Sequence, residues 1–214
     1  MSSGTRCERF LRRIPILANL ALFRPESYLL QRGWFVSWSR CEPVDRQGEP
    51  IPWWCYPAIE FLGGRLDQQM SVFEYGSGYS TIWTARRTGN VVSCETDEDW
   101  HDRIKPRLPS NVEYLLVPKQ KDPYCDALRT RQERFDLIII DGCYRNEIAE
   151  WCADYLREQG VILYDDSNMD CYTAGRDSLL RQGMKEIRLV GMGPCDYNTK
   201  QASVFYREAN CLGI

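Results

Sequence analysis

Residues 72–83 read VFEYGSGYSTIW. An apolar run carries an acidic residue, Glu74, and leads into two glycines, Gly76 and Gly78, with Ser77 between them and the hydroxyl residues Ser80 and Thr81 after them. A strand that passes through glycines into a helix is the turn at which doubly wound sheets bind ligands. Glycine permits the tight turn and lets a ligand come close, because it has no side chain. A dinucleotide fingerprint places a third glycine three residues after the second, to seat a pyrophosphate at the helix N-terminus. Thr81 holds that position here. No Gly-Lys-Ser/Thr follows, which excludes a P-loop. Glu74 adds negative charge beside the turn and suits a cationic ligand better than a phosphate. A second carboxylate, Glu95, ends the next apolar stretch, where such a residue accepts ribose hydroxyls.

The rest of the chain alternates in the same way. SVFEY (71–75), VVSCE (91–95), VEYLLV (112–117), FDLIIID (135–141) and VILYD (161–165) read as strands, with KEIRLV (185–190) and QASVFYRE (201–208) closing the series. Helices are expected from Trp53 to a stop at Gly63 and Gly64, and over 79–88, 97–108, 126–134, 146–159 and 173–182, the fifth of them closed by Gly160. Strand and helix at this spacing predict an α/β domain with a mostly parallel sheet. FDLIIID, apolar almost throughout, is expected at the centre of that sheet, covered on both faces. The proposed division is an extension over 1–51, part of it a loop covering the substrate, and a catalytic domain over 52–214.

A ligand with a ribose, a nucleobase and a positive charge but no phosphate is S-adenosylmethionine. EYGSGYSTIW (74–83), CETDEDW (94–100), FDLIIIDG (135–142) and GVILYDDS (160–167) resemble the successive motifs of class I S-adenosylmethionine-dependent methyltransferases. The resemblance spans about 52–207. It implies a Rossmann-like sheet of seven strands in the order 3-2-1-4-5-7-6, helices on both faces, and an antiparallel last strand. It also implies that the turn from Gly76 through Ser77 and Gly78 to Ser80 and Thr81 holds the amino-acid part of the cofactor, with Glu74 near its ammonium. Glu95 would take the ribose, Trp100 the adenine side, and Asp141 would adjoin the cofactor. Ser80 stands where many members have a third glycine.

The acceptor site is sought at the ends of the fourth and fifth strands. Asp141 ends one, Asp165 and Asp166 the other, and neighbouring parallel strands deliver their C-terminal ends to one crevice. Three carboxylates there repel one another unless a cation or protons intervene. Oxygen ligands of this kind suit magnesium or manganese, and the pattern resembles the metal site of macrocin-type and catechol-type O-methyltransferases. Catechol-type enzymes carry a lysine three residues after the strand-four aspartate; here that residue is Tyr144, followed by Arg145. Asp141, Asp165 or Tyr144 is the expected proton acceptor. The alternative is that Asp165 and Asp166 only cap a turn. His101, the single histidine, is assigned to packing.

Two long aromatic-rich stretches, 33–57 and 191–201, are candidates for covering the crevice. Trp34, Trp38, Trp53, Trp54 and Tyr197 offer flat faces to a sugar ring, although packing explains Trp53 and Trp54 equally well. The arrangement from Gly33 to Leu62, with IDGxxR at 140–145 and GPxxxxxxxASVF at 193–205, resembles methyltransferases encoded with glycan synthesis. The expected function is therefore methyl transfer to a sugar hydroxyl of a glycan or glycoconjugate. A small-molecule O-methyltransferase, an NAD-dependent oxidoreductase and a non-catalytic cofactor-binding module are the alternatives.

Composition agrees with an ordinary globular chain of 214 residues, 43% hydrophobic and 27% charged. A net charge of −3 gives no electrostatic case for a nucleic-acid partner. None of the ten cysteines forms a CxxC pair, and several lie in apolar runs, so they read as reduced, small hydrophobes in a cytoplasmic protein. Residues 6–23, RCERFLRRIPILANLALF, join a basic stretch to an apolar one. This segment is too short to span a bilayer and is expected to lie on the domain, with contact to a membrane surface and a targeting role as the alternatives.

Overall fold

A computed structural model describes residues 22–214, so most of the basic-apolar segment and Cys7 lie outside the described residues. Seven strands form one sheet in the order β3-β2-β1-β4-β5-β7-β6. They are β1 (Ser71–Tyr75), β2 (Asn90–Glu95), β3 (Val112–Leu116), β4 (Phe135–Ile140), β5 (Leu156–Asp165), β6 (Lys185–Gly191) and β7 (Lys200–Tyr206). β1 to β5 pair in parallel, and β7 runs antiparallel to both β5 and β6. This is the arrangement that the motif resemblance implies.

The pleat sends alternate residues to opposite faces, and both faces are buried. Phe73, Tyr75, Ile138, Ile140, Ile162 and Tyr164 pack on one side with Tyr124, Leu128 and Leu179. Val72, Leu137, Ile139, Val161 and Leu163 pack on the other with Trp54, Tyr56, Leu62 and Trp83. The helices of the described residues are α1 (Tyr28–Gln31), α2 (Trp34–Arg40), α3 (Tyr56–Gly63), α4 (Tyr79–Ala85), α5 (Glu98–Ile104), α6 (Lys121–Arg129), α7 (Arg145–Ala149) and α8 (Thr173–Arg181). Asp97 caps α5 by accepting the Trp100 amide at 2.8 Å. Pro106, which has no N–H to donate, lies in the 3₁₀ turn that follows this helix.

Two helices differ from the sequence expectation. α6 begins earlier and stops at Arg129, because Arg131 is drawn to β3 by a paired contact with both oxygens of Glu113, each at 2.7 Å. The helix expected over 146–159 ends at Ala149. A 3₁₀ turn follows at Cys152–Tyr155, and Leu156 already pairs with Phe135 in the sheet. Residues 157–160 then bulge out before Val161 resumes pairing with Leu137. Their exposed polar side chains imitate the outer face of a helix. Gly160 is pressed against the Phe135 carbonyl, where a Cβ would come within 2.8 Å.

The extension is tied to the domain. Val44 packs with Tyr79 and Ile104, and the Trp34 indole donates to the Asp196 carbonyl at 2.7 Å. None of the helices of the described residues is long and apolar enough to cross a membrane.

The loops after β1 and β4 meet backbone to backbone. A Cβ on Gly142 would stand 1.8 Å from the buried Tyr124 hydroxyl and 2.9 Å from the Gly76 nitrogen. Gly142→Ala should therefore cost about 1–3 kcal/mol of stability by overpacking. Gly64→Ala, whose nearest contact would be 3.9 Å away, should stay within about 0.5 kcal/mol of the parent. Denaturant unfolding of the two variants checks this.

Candidate active site

The turn from Tyr75 into α4 is organised by side chains that arrive from β2 and α5. Glu95 accepts the Ser77 amide at 3.3 Å and the Ser77 hydroxyl at 3.0 Å, and its other oxygen accepts the amides of Thr96 and Asp97. Ser77 also meets the Tyr114 hydroxyl at 2.5 Å. Trp100 donates from its indole to the Ser77 carbonyl at 2.9 Å and lies over Gly78, where a Cβ would come within 3.2 Å of the ring. It lines the same cavity as Gly78 and Ser80. Gly76 has φ +84°, and its Cβ position is filled by the Asp141 carbonyl and Gly142. Its missing side chain makes room for protein backbone, whereas the sequence reading reserved that room for a ligand.

Glu74 is fully buried beneath this turn. One of its oxygens accepts from Thr81 at 2.5 Å and Ser93 at 2.9 Å; the other has no partner. Burial pushes its carboxyl up to about 7, against the pull of the Ser80, Thr81 and Ser93 hydroxyls.

Across a cavity of about 270 Å³, Ser77, Gly78 and Ser80 face Asp141, Asp165 and Asp166. One oxygen from each of the three carboxylates lies within 4.8 Å of the others, a donor set of the kind that holds a metal ion. Two cations already stand among them. Arg145 reaches Asp141 at 3.0 Å and Asp166 at 3.4 Å. Lys200, the first residue of β7, is 3.5 Å from Asp165 and 3.5 Å from Asp166. The Trp54 indole donates to the second Asp141 oxygen at 3.0 Å. Burial, and then the charge of Asp141, raise the Asp165 carboxyl well above the usual range. Burial raises Asp141 as well, opposed by Arg145 and Lys200. Burial would depress Lys200, but the three carboxylates outweigh it and raise its affinity for the proton. Charge within the cluster is thus largely offset by the chain's own side chains, while Asp165 Oδ1 is buried without a hydrogen-bond partner.

Other sequence candidates fall in different places. Tyr144 has φ +54° and sits 6.0 Å from the Tyr124 ring, outside the cavity lining. The Asp165 and Asp166 carboxylates meet Lys200 and Arg145, and the 3₁₀ turn at Asp170–Tyr172 has no side-chain cap. His101 stacks on Tyr114 at 4.4 Å and is buried, as expected of a packing residue. Of the adjacent tryptophans, Trp54 is fully buried, while Trp53 is 45% exposed at the cavity mouth beside Pro43. Trp34 stacks on Trp38, and Trp38 meets Tyr197 edge-on at 5.9 Å, so α2 is docked onto the 191–201 loop. The nine described cysteines are all free, and Cys94 and Cys152 are buried.

Lys200 and Arg145 are site residues that the sequence reading did not assign, Arg145 having been noted only as the residue after Tyr144. For Lys200, the only signal was a lysine at the start of a strand expected to run antiparallel, which puts that strand's first residue at the ends of β4 and β5.

Residues 73–167 match a family model described as a methyltransferase domain, Methyltransf_24. No curated protein matches the chain by sequence. Among solved structures, an O-methyltransferase from Bacillus cereus in complex with S-adenosylhomocysteine superposes with a TM-score of 0.56 at 20% identity, over 95% of this chain and 98% of that one. TomG from Streptomyces achromogenes, an O-methyltransferase of tomaymycin synthesis in complex with S-adenosylmethionine, gives 0.56 at 18%, over 95% and 100%. Precorrin-6y C5,15-methyltransferase from Geobacter metallireducens gives 0.57 at 15%, over 71% and 87%. The matched methyltransferase domain begins at β1 and the glycine turn, and the seven strands around it have the order of the methyltransferase fold that these neighbours share.

Proposed function

We propose that the protein is an O-methyltransferase whose acceptor is a sugar hydroxyl of a glycan or glycoconjugate. The observation that carries this reading is that the cofactor turn and the aspartate cluster line one cavity. In the proposed reaction the acceptor oxygen attacks the methyl carbon in line with the sulfonium. The C–O bond forms as the C–S bond breaks, S-adenosylhomocysteine leaves, and the hydroxyl proton passes to a carboxylate. A sugar hydroxyl is a poor nucleophile at neutral pH, so a base within hydrogen-bond reach is required. Asp141 is assigned that role. It faces the cavity, and the Trp54 indole and Arg145 hold its two oxygens in place. Trp53 at the mouth offers an apolar face to one side of a sugar ring while the carboxylates below accept its hydroxyls. Magnesium or manganese in the aspartate cluster was the sequence expectation; Lys200 and Arg145 stand where such an ion would supply its charge, and no step is routed through one. A small-molecule acceptor is the second reading, favoured by the full-length similarity to TomG.

Three results are expected. Glu95→Ala should weaken S-adenosylhomocysteine binding by about 1–3 kcal/mol, since ribose hydroxyls lose their acceptor. Calorimetric titration reads this, and an unchanged affinity would remove Glu95 from the cofactor site.

The second concerns protons. Glu74 holds a proton up to about pH 7 in the free protein. The nearby cofactor ammonium favours its ionised form and lowers that value. Cofactor binding should therefore release protons at pH 6 to 7 and release none well above pH 7, where Glu74 is already ionised. Titrations in buffers of different ionisation enthalpy measure the release, and Glu74→Gln should abolish it.

Third, labelled methyl transfer onto a panel of glycans, free sugars and catechols should favour the sugars. Trp53→Ala should raise KM for the acceptor several-fold and leave S-adenosylhomocysteine affinity as it was. Transfer confined to catechols would replace the sugar reading with the small-molecule one.

A further inference from the structure

The acceptor half of the cavity contains a group that neither the motifs nor the reaction calls for. Lys200 enters from β7, with its side chain 15% exposed. Its ammonium has three protons to donate and three acceptors around it: Asp165 Oδ2 at 3.5 Å, Asp166 Oδ1 at 3.5 Å and the Trp53 carbonyl at 2.8 Å. Each acceptor belongs to a different part of the site. Asp165 ends β5, Asp166 begins the loop after it, and Trp53 forms the rim. The ammonium therefore sits between the carboxylates and ties them to the mouth of the cavity.

Of the remaining carboxylate oxygens, Asp165 Oδ1 is buried without a hydrogen-bond partner, and the others are engaged. Arg145 donates to Asp141 Oδ1 at 3.0 Å and Asp166 Oδ2 at 3.4 Å, and the Trp54 indole donates to Asp141 Oδ2 at 3.0 Å. A magnesium ion demands oxygens at about 2.0–2.1 Å in near-octahedral array and a manganese ion is similar in preference for carboxylates. Donor N–H groups point at the oxygens that would have to turn toward such an ion, and the Lys200 ammonium repels it.

We infer that Lys200 is the built-in cation of the acceptor site, and that the aspartate cluster binds no divalent metal while Lys200 is present. In this arrangement Lys200 is a positioning residue: it holds Asp165 and Asp166 together and fixes Trp53 above them. The inference deepens the acceptor-site reading and rests on it for its catalytic consequence. Its binding test needs no acceptor, so the two can fail separately.

The probe is Mn²⁺ alone, titrated calorimetrically into the protein saturated with S-adenosylhomocysteine. The parent protein and Lys200→Arg should show no saturable binding up to millimolar Mn²⁺. Lys200→Met removes the charge at similar length and should bind Mn²⁺ at least an order of magnitude more tightly than the parent. Methyl transfer by the parent should be undiminished in EDTA. Micromolar Mn²⁺ binding by the parent overturns the inference, even if Lys200→Met proves too unstable to purify. So does a folded Lys200→Met that gains no affinity, or activity lost in EDTA and restored by Mn²⁺.

Discussion

The active end of the sheet depends on the guanidinium of Arg145. Its five N–H groups make five contacts: to the carbonyls of Gly142, Asp165 and Asp141, and to carboxylate oxygens of Asp141 and Asp166. Those acceptors lie at the ends of β4 and β5 and in the loops that leave them. A buried guanidinium is costly unless every donor is met, and removing one partner of such a set costs about 3–5 kcal/mol. The planar fork is what makes the arrangement possible, since a lysine presents a point charge and cannot bridge two strand ends in this way. The catechol-type lysine is absent from position 144, and the arginine one residue later performs a different task, clamping backbone.

The side of the cavity around the glycine turn is built by the opposite means. Gly76 and Gly142 let two loops touch through their backbones, and any side chain at either position would enter the other loop. Beneath this contact lies a closed polar network. Glu74 takes two hydroxyl donors, Glu95 takes amides from two loops, and Trp100 covers Gly78. The second oxygen of Glu74 is buried without a hydrogen-bond partner.

The two adjacent tryptophans show how the extension joins these halves. Trp54 is buried in the apolar cluster on one face of the sheet, yet its indole N–H reaches Asp141. Trp53 turns outward to form the rim, held by Lys200 through its carbonyl. One residue of the pair thus fixes the carboxylate, and the other frames the opening above it.

Much of this was legible in the residues themselves. Period-two burial in SVFEY and FDLIIID, the glycine turn between β1 and α4, and Asp97 as the cap of α5 are local properties, decided by neighbours in sequence. So was the delivery of Asp141, Asp165 and Asp166 to one crevice, because parallel strands in a known order end at the same side. What only the tertiary structure decided is what surrounds those groups. LREQG reads as the end of a helix, because it continues an amphipathic stretch up to a closing glycine, but pairing of Leu156 with Phe135 draws the segment into the sheet. Trp53 and Trp54 are identical in type and adjacent, so no local rule assigns one to the core and the other to the rim. Lys200 is 34 residues from Asp166, and only the antiparallel course of β7 brings its ammonium to the carboxylates. Charge compensation acts through space, between residues that sequence order keeps apart, and so the identity of the cation in this site depended on the fold.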